Sequence, residues 1–260
     1  MIKALFFDID GTLVSFNTHA IPESTVKALE SAKARGVEIY ISTGRPYAII
    51  NNIDAIKHLV DGYITANGAY VFTAEGEVSC SPVCPDDVRT LVDKAREMDF
   101  ACMVVGEKDY TMFNANAKAE YIFKDVLNVP DIGAETPLDL VLSQRILQLT
   151  PIISQEQEDA ILPLLHAVES GRWYPDFADI TARGVSKAKG LAEIAAVRGF
   201  DIAETMAFGD GGNDITMIEA AGIGVAMGNA GEKLKNVADY VTDSVDDNGI
   251  YNALIHWDVI

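Results

Sequence analysis

The chain opens on a short apolar run, Leu5, Phe6 and Phe7, that stops at Asp8, Ile9, Asp10, Gly11 and Thr12. A run without polar alternation, bounded by a Gly-Thr break, fits a parallel strand buried on both faces. Pro22 to Arg35 then places apolar or small residues at Val26, Leu29 and Ala32 and ends at Gly36. Proline at the start and glycine at the stop predict a helix. Val37 to Ile41 reads as a second strand, running into Ser42, Thr43, Gly44, Arg45 and Pro46, with Pro46 placed for the first turn of another helix. Strands alternating with helices predict a parallel sheet.

The pattern changes between Tyr63 and Val78, where short apolar stretches flank Asn67-Gly68 and Glu75-Gly76. Such spacing predicts short antiparallel ribbons. Helical patterns near Asp86 to Met98, Ala115 to Leu127 and Gln155 to Val168 then alternate with strands near Ala101 to Val105 and Ile146 to Thr150, as in a separate α/β unit. After it come a helix over Ser186 to Arg198, a strand over Thr205 to Phe208, a helix begun by Asn213 to Ala220, and strands at Ile223 to Met227 and Tyr240 to Thr242. The expected architecture is α/β. A Rossmann-like, doubly wound parallel sheet is built from 1–80 and 180–260, and an α/β unit is inserted at 81–179.

Charge narrows the partners. Lys and Arg number 20 against 39 Asp and Glu, a formal net charge of −19. The field repels nucleic acid and anionic membranes, and a phosphorylated substrate would need a metal and locally placed cations to reverse its sign. Cys80, Cys84 and Cys102 form no dense framework, so a reducing cytoplasm is expected. The apolar start is broken by aspartates, unlike a signal peptide, and no stretch is long enough to span a bilayer.

The polar residues have a common address. In open parallel sheets, ligands bind beyond the carboxyl ends of the strands. Asp8 and Asp10, then Thr43, then Asp210 all fall at such ends on three separate predicted strands. Leaving two aspartates at the exit of a buried strand is unfavourable unless a cation or a reaction uses them. The simpler alternative is a solvated loop for Asp8 and Asp10, and a turn with a helix N-cap for Asp210 and Asn213.

Four segments together resemble the haloacid dehalogenase (HAD) superfamily: Asp8-Ile9-Asp10-Gly11-Thr12, Ser42-Thr43-Gly44-Arg45, Gly184-Val185-Ser186-Lys187 and Gly209-Asp210-Gly211-Gly212-Asn213-Asp214. Asn67-Gly68-Ala69 and Gly224 to Ala230 resemble its Cof-type sugar-phosphatase branch, in which the insert is a large α/β cap that selects the leaving group. The resemblance implies a Mg²⁺-dependent phosphatase of small phosphate esters, sugar (hexose) phosphates above all. Asp8 would be the nucleophile that forms an aspartyl phosphate, and Asp10 the acid and base. Mg²⁺ would take the Asp8 carboxylate, the Asp10 main-chain carbonyl and the Asp210 carboxylate, with Asp214 in support. Ile9 through its N–H, Thr43, Gly44, Lys187 and Asn213 would bind the phosphoryl group, with Lys189 the competitor of Lys187. A phosphosugar mutase and a non-catalytic phosphosugar sensor are the alternatives. Partners beyond the substrate are not expected: no nucleic acid, no membrane, and a monomeric chain.

Overall fold

The computed structural model describes residues 1–260, the Trp173 side chain excepted. The chain divides into two compact units: Met1–Gly44, Ile50–Ser79 and Ser186–Ile260 form the first, Arg45–Ile49 and Cys80–Val185 the second.

The first unit is organised by an eight-stranded sheet. Its order is Tyr240–Val241, Ile223–Ala226, Thr205–Gly209, Ala4–Phe7, Glu38–Ser42, Gly62–Thr65, Tyr70–Thr73 and Gly76–Cys80. The first six run parallel, and Tyr70–Thr73 pairs antiparallel with Gly62–Thr65 as one of the expected ribbons. The apolar run at the start is a central strand with all four residues fully buried. Leu5 and Phe7 point into a core with Ala28, Leu29, Ile250 and Leu254, whereas Ala4 and Phe6 point into one with Leu191, Ile194, Met217 and Ile218. Helices Glu23–Ala34 and Gly249–His256 therefore cover one face, and Lys187–Arg198 and Ile215–Ala220 the other. Phe7 stacks on Phe208 at 4.7 Å and Phe6 on Tyr40 at 4.9 Å, fixing the centre of the sheet from both sides. Each such ring contributes roughly 1.5–3 kcal/mol by burial. The helix expected after Pro46 is a single 3₁₀ turn, Tyr47–Ile49. Asn51, Asn52 and Asp54 follow, and such residues offer the backbone competing hydrogen bonds.

The second unit holds a five-stranded antiparallel sheet in the order Tyr110–Phe113, Cys102–Gly106, Ile146–Pro151, Phe177–Ala182 and Val168–Tyr174. Val88, Leu91, Val92 and Ala95 of helix Pro85–Met98 and Ile161 pack on Cys102, Val104, Leu149 and Ile180. The helix expected over Gln155 to Val168 ends at Ile161. Pro163 supplies no N–H to continue it, and after a 3₁₀ turn at Leu162–Leu164 the segment from Val168 becomes a strand. Three strands here, Tyr110–Phe113, Val168–Tyr174 and Phe177–Ala182, lack a continuous apolar run and were not expected. Position 179, the expected end of the insert, lies inside the last of them.

Candidate active site

Asp8, Thr43 and Asp210 each stand one residue beyond the end of a strand, and those three strands are neighbours in the sheet. The chain turns sharply after Asp8. Val14 N–H and Thr12 N–H both donate to the Ile9 carbonyl, at 2.8 and 3.3 Å, and Gly11 N–H donates to the Val14 carbonyl at 2.9 Å. Gly11 has φ +87°, and a Cβ there would lie 2.2 Å from Asp210 Oδ2. Only glycine allows this approach without strain.

Lys187 is the buried hub. Its Nζ donates to Asp8 Oδ1 and to Asp214 Oδ1, both at 2.6 Å, and the residue is 1% exposed. It is the first residue of helix Lys187–Arg198, whose N-cap Ser186 accepts from Lys189 N–H at 3.1 Å. A cation at a helix N-terminus opposes the helix dipole, so the two carboxylates must outweigh it. Lys189 instead points outward, 3.8 Å from Glu193. Asp214 is committed at both oxygens, because Oδ2 also accepts from Gly211 N–H at 2.9 Å and Asp210 N–H at 3.1 Å. Asp210 is braced at one oxygen, where Thr12 Oγ1 donates to Oδ1 at 2.9 Å.

Carboxylate oxygens of Asp8, Asp210 and Asp214 lie within 4.8 Å of one another. Three carboxylates against one ammonium leave an excess of negative charge, and the oxygens not committed to protein donors suit a hard cation such as Mg²⁺. Burial pushes the Asp8 carboxyl well above its ordinary range; Lys187 opposes the shift, and Asp214, Asp210 and Asp10 add to it. Burial, then Asp214, pushes Asp210 up to about 7, against the Thr12 hydrogen bond and Lys187. Burial alone would lower Lys187, but Asp214 and Asp8 hold it charged and raised.

Ile9 is fully buried, so only its main chain can serve a ligand, and Asp10 is half-buried in the same turn. Thr43 is buried, and a Cβ on Gly44 would sit 3.1 Å from Asn67 Oδ1 and 3.5 Å from Asn213 Nδ2. Asn213 Nδ2 donates to Asn67 Oδ1 at 3.1 Å. Arg45 donates to the main-chain carbonyls of Leu127 at 2.7 Å and Ile49 at 3.3 Å within the second unit. Sequence reasoning gave no role to Thr12 or to Asn229, whose Nδ2 donates to the Gly11 carbonyl at 2.8 Å while its Oδ1 accepts from Val245 N–H. Their signal was membership of the segments Asp8 to Thr12 and Gly224 to Ala230, although a hydroxyl two residues after Asp10 and an amide in a glycine-rich turn are common without such roles.

Residues 5–254 match the family of haloacid dehalogenase-like hydrolases. The chain belongs to that family. This HAD-like hydrolase is 46% identical to the sugar phosphatase BT4131 of HAD subclass IIB, with a TM-score of 0.92 covering 99% of this chain and 100% of that one. It is 40% identical to BT1666 from Bacteroides thetaiotaomicron, one of the HAD-superfamily phosphatases, with a TM-score of 0.87 covering 100% and 96%. The 5-amino-6-(5-phospho-D-ribitylamino)uracil phosphatase YcsE of Bacillus subtilis (strain 168) is 28% identical over 259 residues, 98% of this chain and 96% of that one. The HAD-like hydrolase is thus a phosphatase of this family, close to sugar phosphatases. Among the described residues no helix is long and apolar enough to cross a membrane.

Proposed function

We propose that this phosphatase is Mg²⁺-dependent and hydrolyses small phosphorylated metabolites, hexose phosphates above all, through an aspartyl phosphate on Asp8. The observation that carries the reading is the buried Lys187 bridging Asp8 and Asp214 beside Asp210. Phosphate monoesters hydrolyse extremely slowly unaided, and a nucleophile splits the reaction into two easier steps. Lys187 donates to Asp8 Oδ1, and Oδ2 attacks phosphorus as the bond to the sugar oxygen breaks. Asp10 gives its proton to that oxygen, then takes one from water. The water attacks phosphorus, releasing orthophosphate and restoring Asp8, a division of labour between an ionised carboxylate and a proton carrier.

The Ile9 and Gly44 N–H groups, the Thr43 hydroxyl, the Asn213 amide and Lys187 donate to the phosphoryl oxygens, where fixed dipoles are most effective. Asp214, saturated by Lys187 and two N–H groups, orients the lysine instead of binding metal. Mg²⁺ would be held by the Asp8 and Asp210 carboxylates and the Asp10 carbonyl, and would neutralise charge on the phosphoryl group. In this reading 1–80 with 180–260 is the catalytic core, 81–179 the cap that selects the leaving group, and the enzyme works as a cytoplasmic monomer.

The test is phosphate release from hexose, pentose and triose phosphates, nucleotides and pyridoxal phosphate, with Mg²⁺ or with EDTA and no bisphosphate added. Hexose phosphates should lead, EDTA should abolish turnover, and folded Asp8→Asn should be inactive. Multiple turnover by Asp8→Asn, or full activity after exhaustive chelation, overturns the mechanism.

A further inference from the structure

The strand Gly62–Thr65 ends in three successive residues with positive φ: Ala66 at 49°, Asn67 at 56° and Gly68 at 104°. The other described non-glycine residues with positive φ are His19, Asp99, Asn114, Asn128, Asn248 and Asp258. Asn, Asp and His tolerate the left-handed region comparatively well. Ala66 has no polar side chain to compensate, and its conformation is therefore held by its surroundings. Backbone strain of this kind gathers at functional sites.

A plain hairpin turn would leave its tip in solvent. This one is inserted among three of the motif segments. Asn67 N–H donates to the Thr43 carbonyl at 3.0 Å, and Asn67 Oδ1 accepts from Asn213 Nδ2 at 3.1 Å. Gly68 lies so close to Ser186, the neighbour of Lys187, that a Cβ would come within 2.3 Å of the Ser186 carbonyl oxygen. Asn67 thus ties Thr43–Gly44 to Asn213, by its main-chain N–H on one side and its side-chain amide on the other. The Asn67 side chain also fixes the orientation of the Asn213 amide: one N–H is engaged by Asn67 Oδ1, and the second remains for a ligand.

We infer that Asn67 is a positioning residue, the clamp that holds Asn213 opposite Thr43 and Gly44 so that their donors converge on the phosphoryl oxygens. This inference rests on the assignment of Thr43, Gly44 and Asn213 to the phosphoryl group proposed above. The strained turn is tolerated because its tip ties these loops together, and displacement of donors by a fraction of an ångström weakens a site of this kind.

Asn67→Gly separates the clamp from the turn. Glycine is at ease with positive φ, so a purely structural role predicts an unchanged or higher melting temperature and full function. A clamp predicts an intact fold with orthophosphate binding about tenfold weaker, measured by titration calorimetry in Mg²⁺ buffer. For sugar phosphates kcat/KM should fall at least tenfold, while the Mg²⁺ activation constant stays within twofold. In an Asn213→Ala background the same substitution should cost less than threefold, because the amide it positions is gone. The inference is overturned if Asn67→Gly binds orthophosphate as tightly as the wild type, if the wild type binds it no better than the variant, or if the loss is undiminished beside Asn213→Ala. Orthophosphate binding requires no turnover, so failure of the proposed hydrolysis would leave this comparison readable.

Discussion

Asp210 makes the metal-free protein sensitive to pH in a direction opposite to ordinary acid denaturation. Its carboxyl is pushed from 3.8 up to about 7 by burial and by Asp214. A carboxyl raised in the folded state binds its proton more tightly folded than unfolded, so folding stability is fully present at low pH and is lost as pH rises from about 4 to about 7. At ~1.4 kcal/mol per decade the displacement corresponds to on the order of 4 kcal/mol. Asp210 keeps a partly exposed edge, and screening there trims the working figure to roughly 2–3 kcal/mol. For a chain of this size that is about 5–10 °C in melting temperature.

Asp210→Asn removes the charge with a side chain that is nearly isosteric and still able to accept from the Thr12 hydroxyl. Other carboxylates titrate in both proteins, so the difference between the two profiles isolates Asp210. In EDTA the variant should match the wild type near pH 4 and melt about 5–10 °C higher near pH 8. Mg²⁺ should raise the wild type most at high pH, where no proton competes for the carboxylate, and should leave the variant almost unmoved. Parallel profiles between pH 4 and 8, or equal Mg²⁺ stabilisation of both proteins, would exclude Asp210 as the group responsible.

Lys187→Met should lower kcat at least a thousandfold and cost on the order of 3–5 kcal/mol of stability at pH 8, since it leaves Asp8 and Asp214 buried without their common cation. Denaturant melts and phosphate release check it, and near-wild-type values in either would exclude the lysine as hub. Gly11→Ala should place a methyl group against Asp210 and force a left-handed alanine. A Mg²⁺ activation constant raised about tenfold is expected, and an unchanged constant in a folded variant would show that the Asp10–Gly11 turn can yield.

The parallel core is legible in the residues alone. Strands buried on both faces write themselves as continuous apolar runs, and the polar residues that end those runs, Asp8, Thr43 and Asp210, necessarily emerge along one edge of the sheet. The residues alone are far less informative in the second unit, where the strand Val168–Tyr174 carries Glu169, Ser170, Gly171 and Arg172, and its pairing with Phe177–Ala182 is what makes it a strand. The motif Gly184-Val185-Ser186-Lys187 pointed to Lys187, but what that lysine touches is a matter of the folded chain. Lys187 turns inward to Asp8, 179 residues away, and to Asp214, 27 away, whereas Lys189 two residues on faces outward beside Glu193. The same holds for the two oxygens of Asp214, for Thr12 on Asp210, and for Asn67 between Thr43 and Asn213. Each is a side-chain contact between separate loops, and whether its members meet depends on strand order and loop conformation, which local composition does not encode.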